Sequence, residues 1–328
     1  MKGNNRNLYD QKIKTTIEQY TAGAGKFRKA KNSSEMYSAL DNLRHIDPKD
    51  EELVQKAYKL VTDKKEHKNL RQRALSKLTR YLHNSEPAVK DMIGMLNDKE
   101  EPVEMKRSAL KSLIAISFNS PALNAQMPHY KQALRSLLNS HDPELVRMAA
   151  DKLAGYKDGS TQKILLDGLK DHTKALVPDE KAIQLLGRDT RAEHYLVIRN
   201  ILSQSKNPAV QLECVTALSG DPESEKEINA TLADKSTDEQ VRIKCISALN
   251  SLKAEKYQGE LKSMILDENE SPNIRAAALN ALSFHNNLAS VYEDKDFNNV
   301  VENLKSVDNE GLRKMSNLYL TNKGNYKK

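Results

Sequence analysis

Two stretches of nearly the same wording decide how this chain folds: "VQLECVTAL", Val210–Leu218, and "VRIKCISAL", Val241–Leu249. They hold the only two cysteines, Cys214 and Cys245, each at the fifth place of its phrase. The same rhythm returns in "LRQRALSKL" from Leu70, "MKRSALKSL" from Met105, "LVRMAADKL" from Leu145, "PDEKAIQLL" from Pro178, "IRAAALNAL" from Ile274 and "LRKMSNLYL" from Leu312. A weaker member, "EMYSALDNL", starts at Glu35. The fifth place is always small: Ala39, Ala74, Ala109, Ala149, Ala182, Cys214, Cys245, Ala278 and Ser316. Successive separations are 35, 35, 40, 33, 32, 31, 33 and 38 residues. That is the signature of a repeat array.

First, fifth and ninth places lie four apart, so on a helix they form one stripe. A small residue at its centre admits a neighbouring helix, and the Leu that ends every phrase fills the space beside it. Asp142-Pro143, Asn207-Pro208 and Ser271-Pro272 set a capping side chain before a Pro, which has no orphan amide to lose. Between the phrases lie second amphipathic segments such as "PAVKDMIGML", "HYKQALRSLL" and "YLVIRNILSQ". Each unit therefore reads as helix, turn, helix. The longest gap contains "NSPALNAQMP", residues 119–128, which reads as an inserted loop.

The composition agrees. Charged residues are 30% of 328, aromatics 5%, Trp is absent, and Gly and Pro number 12 and 10, a helix-rich mixture. No run reaches the roughly 18 apolar residues of a membrane span, and "MKGNNRNLYD" lacks an apolar signal region, so a cytoplasmic protein is expected, or an exported one whose signal has been removed. The net charge is +7, and its distribution is uneven: 19 Lys or Arg against 10 Asp or Glu through Leu82, then 33 against 35.

"DPELVRMAADKLAGY", "DEQVRIKCISALNSL" and "SPNIRAAALNALSF" resemble HEAT repeats, especially the short bacterial form similar to phycobilisome-lyase HEAT-like repeats. The resemblance spans roughly Ser33 to Leu320. It implies an all-α, right-handed α-solenoid of about eight or nine stacked antiparallel helix pairs, armadillo-like in kind. The expected organisation is an N-terminal helix and basic linker over 1–32, repeats over 33–320 and a tail over 321–328. The function it implies is broad, because such arrays serve as scaffolds, adaptors and occasionally enzymes.

Candidates for chemistry are few. The cysteines sit one repeat apart, roughly 10 Å on packed helices, beyond disulfide reach, and read as small buried hydrophobes. Three places before the small residue stand Arg71, Lys106, Arg242, Arg275 and Arg313, a ladder broken at Val146, Asp179 and Gln211. It is either a basic stripe for an anionic partner or, as the resemblance implies, a tie between neighbouring units. The histidines, His45, His67, His83, His129, His141, His172, His194 and His285, show no zinc spacing and read as solvated or capping residues. None precedes Glu, unlike the iron-binding His-Glu pairs of the HEAT-repeat enzyme deoxyhypusine hydroxylase. The absence of Trp separates the chain from HEAT-like alkylpurine DNA glycosylases. "TAGAGKFRKAKNSS" lacks the first Gly, the Ser or Thr and the strand of a phosphate loop. No catalytic, cofactor or metal residue is assigned, and no cofactor is expected.

The expectation is a noncatalytic scaffold or adaptor holding a protein partner on the concave face of the solenoid. Its residues would be Arg147, Lys152, Lys181, Gln184, Arg188, Gln211, Thr216, Lys244 and Asn280. The alternative is nucleic-acid binding through Lys26, Arg28, Lys29, Lys31, Lys64, Lys65, Lys68, Arg71, Arg73, Lys77 and Arg80, with Arg73, Lys77 and Arg80 on one helical face. An enzyme or enzyme-accessory protein with a site assembled across repeats is the third reading.

Overall fold

The structure is a computed structural model and describes residues 3–189, 191–283 and 289–326. It contains 21 α-helices and no strand among the described residues. The chain divides into two compact units, Met1–Tyr156 and Lys157–Lys328.

The first unit runs α1 Gly3–Lys29, α2 Ser33–Asp41, α3 Glu51–Thr62, α4 Lys68–Lys77, α5 Thr79–Leu82, α6 Glu86–Asn97, α7 Val103–Ile116, α8 Pro121–Ala125, α9 Met127–Leu137 and α10 Pro143–Gly155. Pairs form between α1 and α2, α3 and α4, α6 and α7, and α9 and α10. The second helices pack in series, α2 on α4, α4 on α7 and α7 on α10, while α6 packs on α9 in the other layer.

The second unit runs α11 Gly159–Lys170, α12 Asp179–Leu186, α13 Ala192–Gln204, α14 Pro208–Leu218, α15 Glu225–Ala233, α16 Glu239–Lys253, α17 Gln258–Leu266, α18 Pro272–Ser283, α19 Ala289–Glu293, α20 Lys295–Asn303 and α21 Glu310–Tyr326. Here α12, α14, α16, α18 and α21 form the series of second helices, and α13 packs on α15 beside it.

Every small residue of the repeat lies in the core. Ala74, Ala109, Ala149, Cys214, Cys245, Ala278 and Ser316 are fully buried, and Ala39 and Ala182 nearly so. Their Leu partners Leu78, Leu113, Leu153, Leu186 and Leu218 are equally inaccessible. This is the column along which successive second helices approach. One close approach falls at Gly187, where a Cβ would lie 2.7 Å from the Ala217 methyl. No side chain fits that gap between α12 and α14 without displacement.

Both ends of the turns are specified locally. The Asp142 carboxylate accepts from Leu145 N–H at 2.8 Å, Asn207 Oδ1 from Ala209 N–H at 3.0 Å, and Ser271 Oγ from Asn273 N–H at 3.2 Å. These are the caps expected before Pro. First helices end just as regularly, on Asp63, Asp98, Asp171, Asp234 and Asp267. Each carboxylate accepts the amide two residues on, at 2.9 to 3.1 Å, forming an Asx turn that stops the helix.

Three local expectations change. The basic linker is helix as far as Lys29, and α21 carries the tail to Tyr326. The loop over 119–128 contains α8, whose start is capped by Ser120 Oγ accepting from Leu123 N–H at 3.1 Å.

Candidate interaction surface

Three arginines of the ladder, Arg71, Arg242 and Arg275, are buried ties. Arg71 Nε donates to Val61 O, Arg242 Nε to Leu232 O and Arg275 Nε to Ile265 O, each at 2.9 Å and each ten residues back. The acceptors are carbonyls in the last turn of the preceding first helix, which have no partner within that helix. The guanidinium then reaches the next turn along the unit. Arg242 grips Glu270 with two bonds of 2.8 and 2.7 Å, and both side chains are more than nine-tenths buried. Arg71 meets Glu101 at 2.8 Å as an ion pair without a well-aligned hydrogen bond. Of the two readings of the ladder, the tie between units holds at these positions. Arg71 is 2% exposed and has no place in a surface patch.

Where the ladder breaks, the substitutes are informative. Asp179 in the Arg position approaches His172 Nδ1 at 3.3 Å. Gln211 donates from Nε2 to Ser205 O at 3.0 Å, six residues back, as Arg313 does to Val307 O at 2.8 Å. Gln211 is therefore a buried tie, 6% exposed, where the sequence placed it on an exposed concave face. At Arg71, Arg242, Arg275 and Gln211 the ladder position points into the junction between repeats, as the reading of it as a tie between units expects.

The remaining residues of that set lie on or beside second helices. Arg147, Gln184, Arg188, Thr216 and Asn280 are exposed, while Lys152, Lys181 and Lys244 are partly covered. Lys152 Nζ donates to Ser117 Oγ at 2.9 Å, and Lys181 Nζ to Gln184 Oε1 at 2.6 Å. In the first unit this face is laced by pairs spaced about one repeat. Lys68 meets Glu104, Gln72 bonds Ser108 Oγ at 2.8 Å, Arg107 meets Asp142 and Glu144, and Lys111 meets Glu144 at 2.9 Å. In the second unit Glu239 accepts from Ser271 and from Asn273 Nδ2, the latter at 2.8 Å.

The basic N-terminal set is largely engaged. Arg28 pairs with Asp50 at 2.5 Å and Glu52 at 2.9 Å, Lys64 with Asp98 at 2.5 Å, and Arg73 with Asp41 at 2.7 Å. Lys77 is buried, and desolvation lowers its ammonium pKa from the usual value, with Arg73 adding to the effect. The common face of Arg73, Lys77 and Arg80 is also broken, because α4 ends at Lys77 and Arg80 belongs to α5, 2.8 Å from His45 Nε2. Lys26, Lys29, Lys31 and Lys65 remain exposed.

Both cysteines are free and fully buried. Burial pushes each thiol up to about 12, so neither carries an available thiolate near neutral pH. Among the histidines, His67 caps α4 by accepting Asn69 N–H at 3.3 Å. His194 is fully buried in the first turn of α13, a correction to the solvated role expected of it. His285 lies outside the described residues. Among the described residues no group of three His, Cys, Asp or Glu is placed to hold a metal, and no helix is long and apolar enough to cross a membrane.

Sequence reasoning missed the acidic partners of the ladder, Glu101 and Glu270, and the Asp residues that end first helices. The signal was present: Asp63, Asp98, Asp234 and Asp267 recur with the period of the Ala column, and each Glu stands three residues after one of them. It also missed a cleft of about 310 Å³ in the second unit, lined by Ser205, Gln211, Glu227, Thr231, Asp234 and Thr237 among others. A second, of about 570 Å³, opens between α6 and α9 along Asn97, Gln126, His129 and Gln132.

No protein-family model and no curated protein matches the chain. Solved structures similar to it include an engineered protein from the Northeast Structural Genomics Consortium, 18% identical, with a TM-score of 0.45 and coverage of 92% of this chain and 88% of that one. Another is the complex of CpcE and CpcF of phycocyanin lyase from Nostoc sp. PCC7120, 16% identical, with a TM-score of 0.39 and coverage of 85% and 96%. Human deoxyhypusine hydroxylase in complex with glycerol is 14% identical, with a TM-score of 0.31 and coverage of 83% and 96%.

Proposed function

We propose that the chain is a noncatalytic interaction protein whose exposed second-helix faces hold a protein partner. The observation that supports this reading is the cross-repeat lacing of the face in the first unit, where Lys68, Gln72, Arg107 and Lys111 are tied to residues of the next repeat. Side chains held this way lose little further freedom when a partner docks, which lowers the cost of binding. Long polar side chains such as Arg147 and Gln184 lie exposed beside the buried stripe of their helices without serving the core. They supply specificity over an array whose core positions repeat.

The test is affinity purification of the full chain with crosslinking and mass spectrometry, followed by the combined substitution Arg147→Ala, Gln184→Ala, Arg188→Ala, Thr216→Ala and Asn280→Ala. A protein that crosslinks to second-helix residues and is lost from the folded variant supports the reading. Retention of every partner by that variant, or turnover of a small molecule by the purified chain, overturns it.

A further inference from the structure

The cleft in the second unit occupies a position that the chain fills with its own guanidinium elsewhere. In three junctions an Arg stands eight residues after the Asp that ends a first helix: Arg71 after Asp63, Arg242 after Asp234 and Arg275 after Asp267. The first two meet an acid three residues after the next such Asp: Glu101 after Asp98 and Glu270 after Asp267. Between them lies the junction of α13 and α14 with α15 and α16. There the ladder residue is Gln211, only six after the helix end at Ser205, and the residue three after Asp234 is Thr237. Gln211 and Thr237 both line the 310 Å³ cleft. A charged pair that elsewhere fills the junction is replaced by two smaller neutral side chains, and the space stays open.

What remains in the cleft asks for a hydrogen-bond donor. Glu227 Oε2 is buried and has no hydrogen-bond partner among the described residues. Ser203, Ser205 and Thr231 line the wall, and Asp234 adds a second acidic residue. Two cations also border it. Lys206 is 82% exposed and lies 3.6 Å from Asp234, and Lys226 is exposed. Both ammonium groups can turn to water, whereas the buried Glu227 oxygen cannot, so an anionic guest is repelled where a cationic one is held. A planar fork of N–H donors suits a carboxylate flanked by other acceptors better than a spherical ammonium does.

We propose that this cleft is a binding site for a guanidinium group, the arginine side chain of a partner segment taking the place that Arg71 and Arg242 occupy in their own junctions. The site lies along α15 and the end of α13, with the buried Gln211 of α14 in its wall, so it is distinct from the exposed second-helix residues Arg147, Gln184, Thr216 and Asn280.

The full-length chain is titrated with Nα-acetyl-arginine amide and, separately, with Nα-acetyl-citrulline amide, which keeps the shape and removes the charge. Binding is followed by the backbone amide resonances of Thr231 and Thr237. Saturable shifts at those amides with arginine, and at least roughly tenfold weaker binding of citrulline, are expected. The double variant Gln211→Arg with Thr237→Glu rebuilds the internal pair and abolishes binding. Glu227→Gln keeps the shape of the wall and weakens it by roughly tenfold, which serves as the test should the double variant fail to fold. Absence of saturable shifts, an equal response to citrulline, or undiminished binding by a folded variant overturns the proposal.

Discussion

Arg242 and Glu270 meet through two nearly parallel hydrogen bonds of 2.8 and 2.7 Å, while Arg242 Nε closes the end of α15 at Leu232 O. One side chain thus satisfies a helix terminus in its own repeat and a carboxylate in the next. A buried pair of this kind gains little over well-packed apolar residues, yet losing one partner strands a charge. Arg242→Ala is therefore expected to cost about 3–5 kcal/mol of unfolding free energy in urea titrations. Arg242→Met combined with Glu270→Leu should cost less than Arg242→Ala alone. A double variant as damaged as the single one would show that the tie to Leu232 O carries most of the effect.

The same pair gives stability a defined pH dependence. The hydrogen bonds from Arg242 hold the Glu270 carboxyl below its ordinary value, outweighing the opposing effect of burial. Arg107 holds Asp142 low in the same way. A carboxyl whose native pKa is depressed contributes stability that is complete above the unfolded-state value, about 4, and is lost as pH falls through the native one. Denaturation midpoints measured from pH 7 to pH 3 should fall steeply for the parent chain and less steeply for Glu270→Gln.

Thiol chemistry should be silent until the chain unfolds. Cys214 and Cys245 are fully buried, and burial holds both thiols protonated. Native protein should react with a disulfide reagent only at the rate of local opening, and both thiols should react at once in denaturant. Cys→Ala at either place is expected to cost about 1 kcal/mol, because Ala already fills this position in six other phrases.

Two glycines separate close packing from backbone entropy. Gly187→Ala forces a methyl to 2.7 Å from Ala217 and should cost about 1–3 kcal/mol, read as a lower Tm. Gly94 lies inside α6 with nothing within 4 Å of an added Cβ. Gly94→Ala should raise stability by about 0.5–1 kcal/mol. Opposite signs at the two sites would identify α12 against α14 as the tight junction.

Much of the fold was legible because the repeat writes one physical requirement many times. A stripe of large, small and Leu at intervals of four can be buried only against other helices, so the Ala column, its Cys substitutes and the caps before Pro followed from spacing alone. Helix within the expected linker and inserted loop was harder to read, since short polar stretches carry little periodicity. The ladder showed in the sequence as a recurring Arg, but its direction did not. A residue three places before the small one lies at the flank of the stripe, and only the neighbouring turn decides whether it meets solvent or a carboxylate.

By itself, then, the sequence determined the helices, their pairing rhythm and the buried column, because these follow from local periodicity. Tertiary structure alone decided that Arg71 and Gln211 point inward, that Arg28, Lys64, Lys68, Arg71 and Arg73 of the basic N-terminal set are spent on ion pairs, and that the Gln211–Thr237 junction is left open. Each of these depends on which side chain of one repeat stands opposite which side chain of the next, a distance of about thirty residues along the chain and of a few ångströms in space.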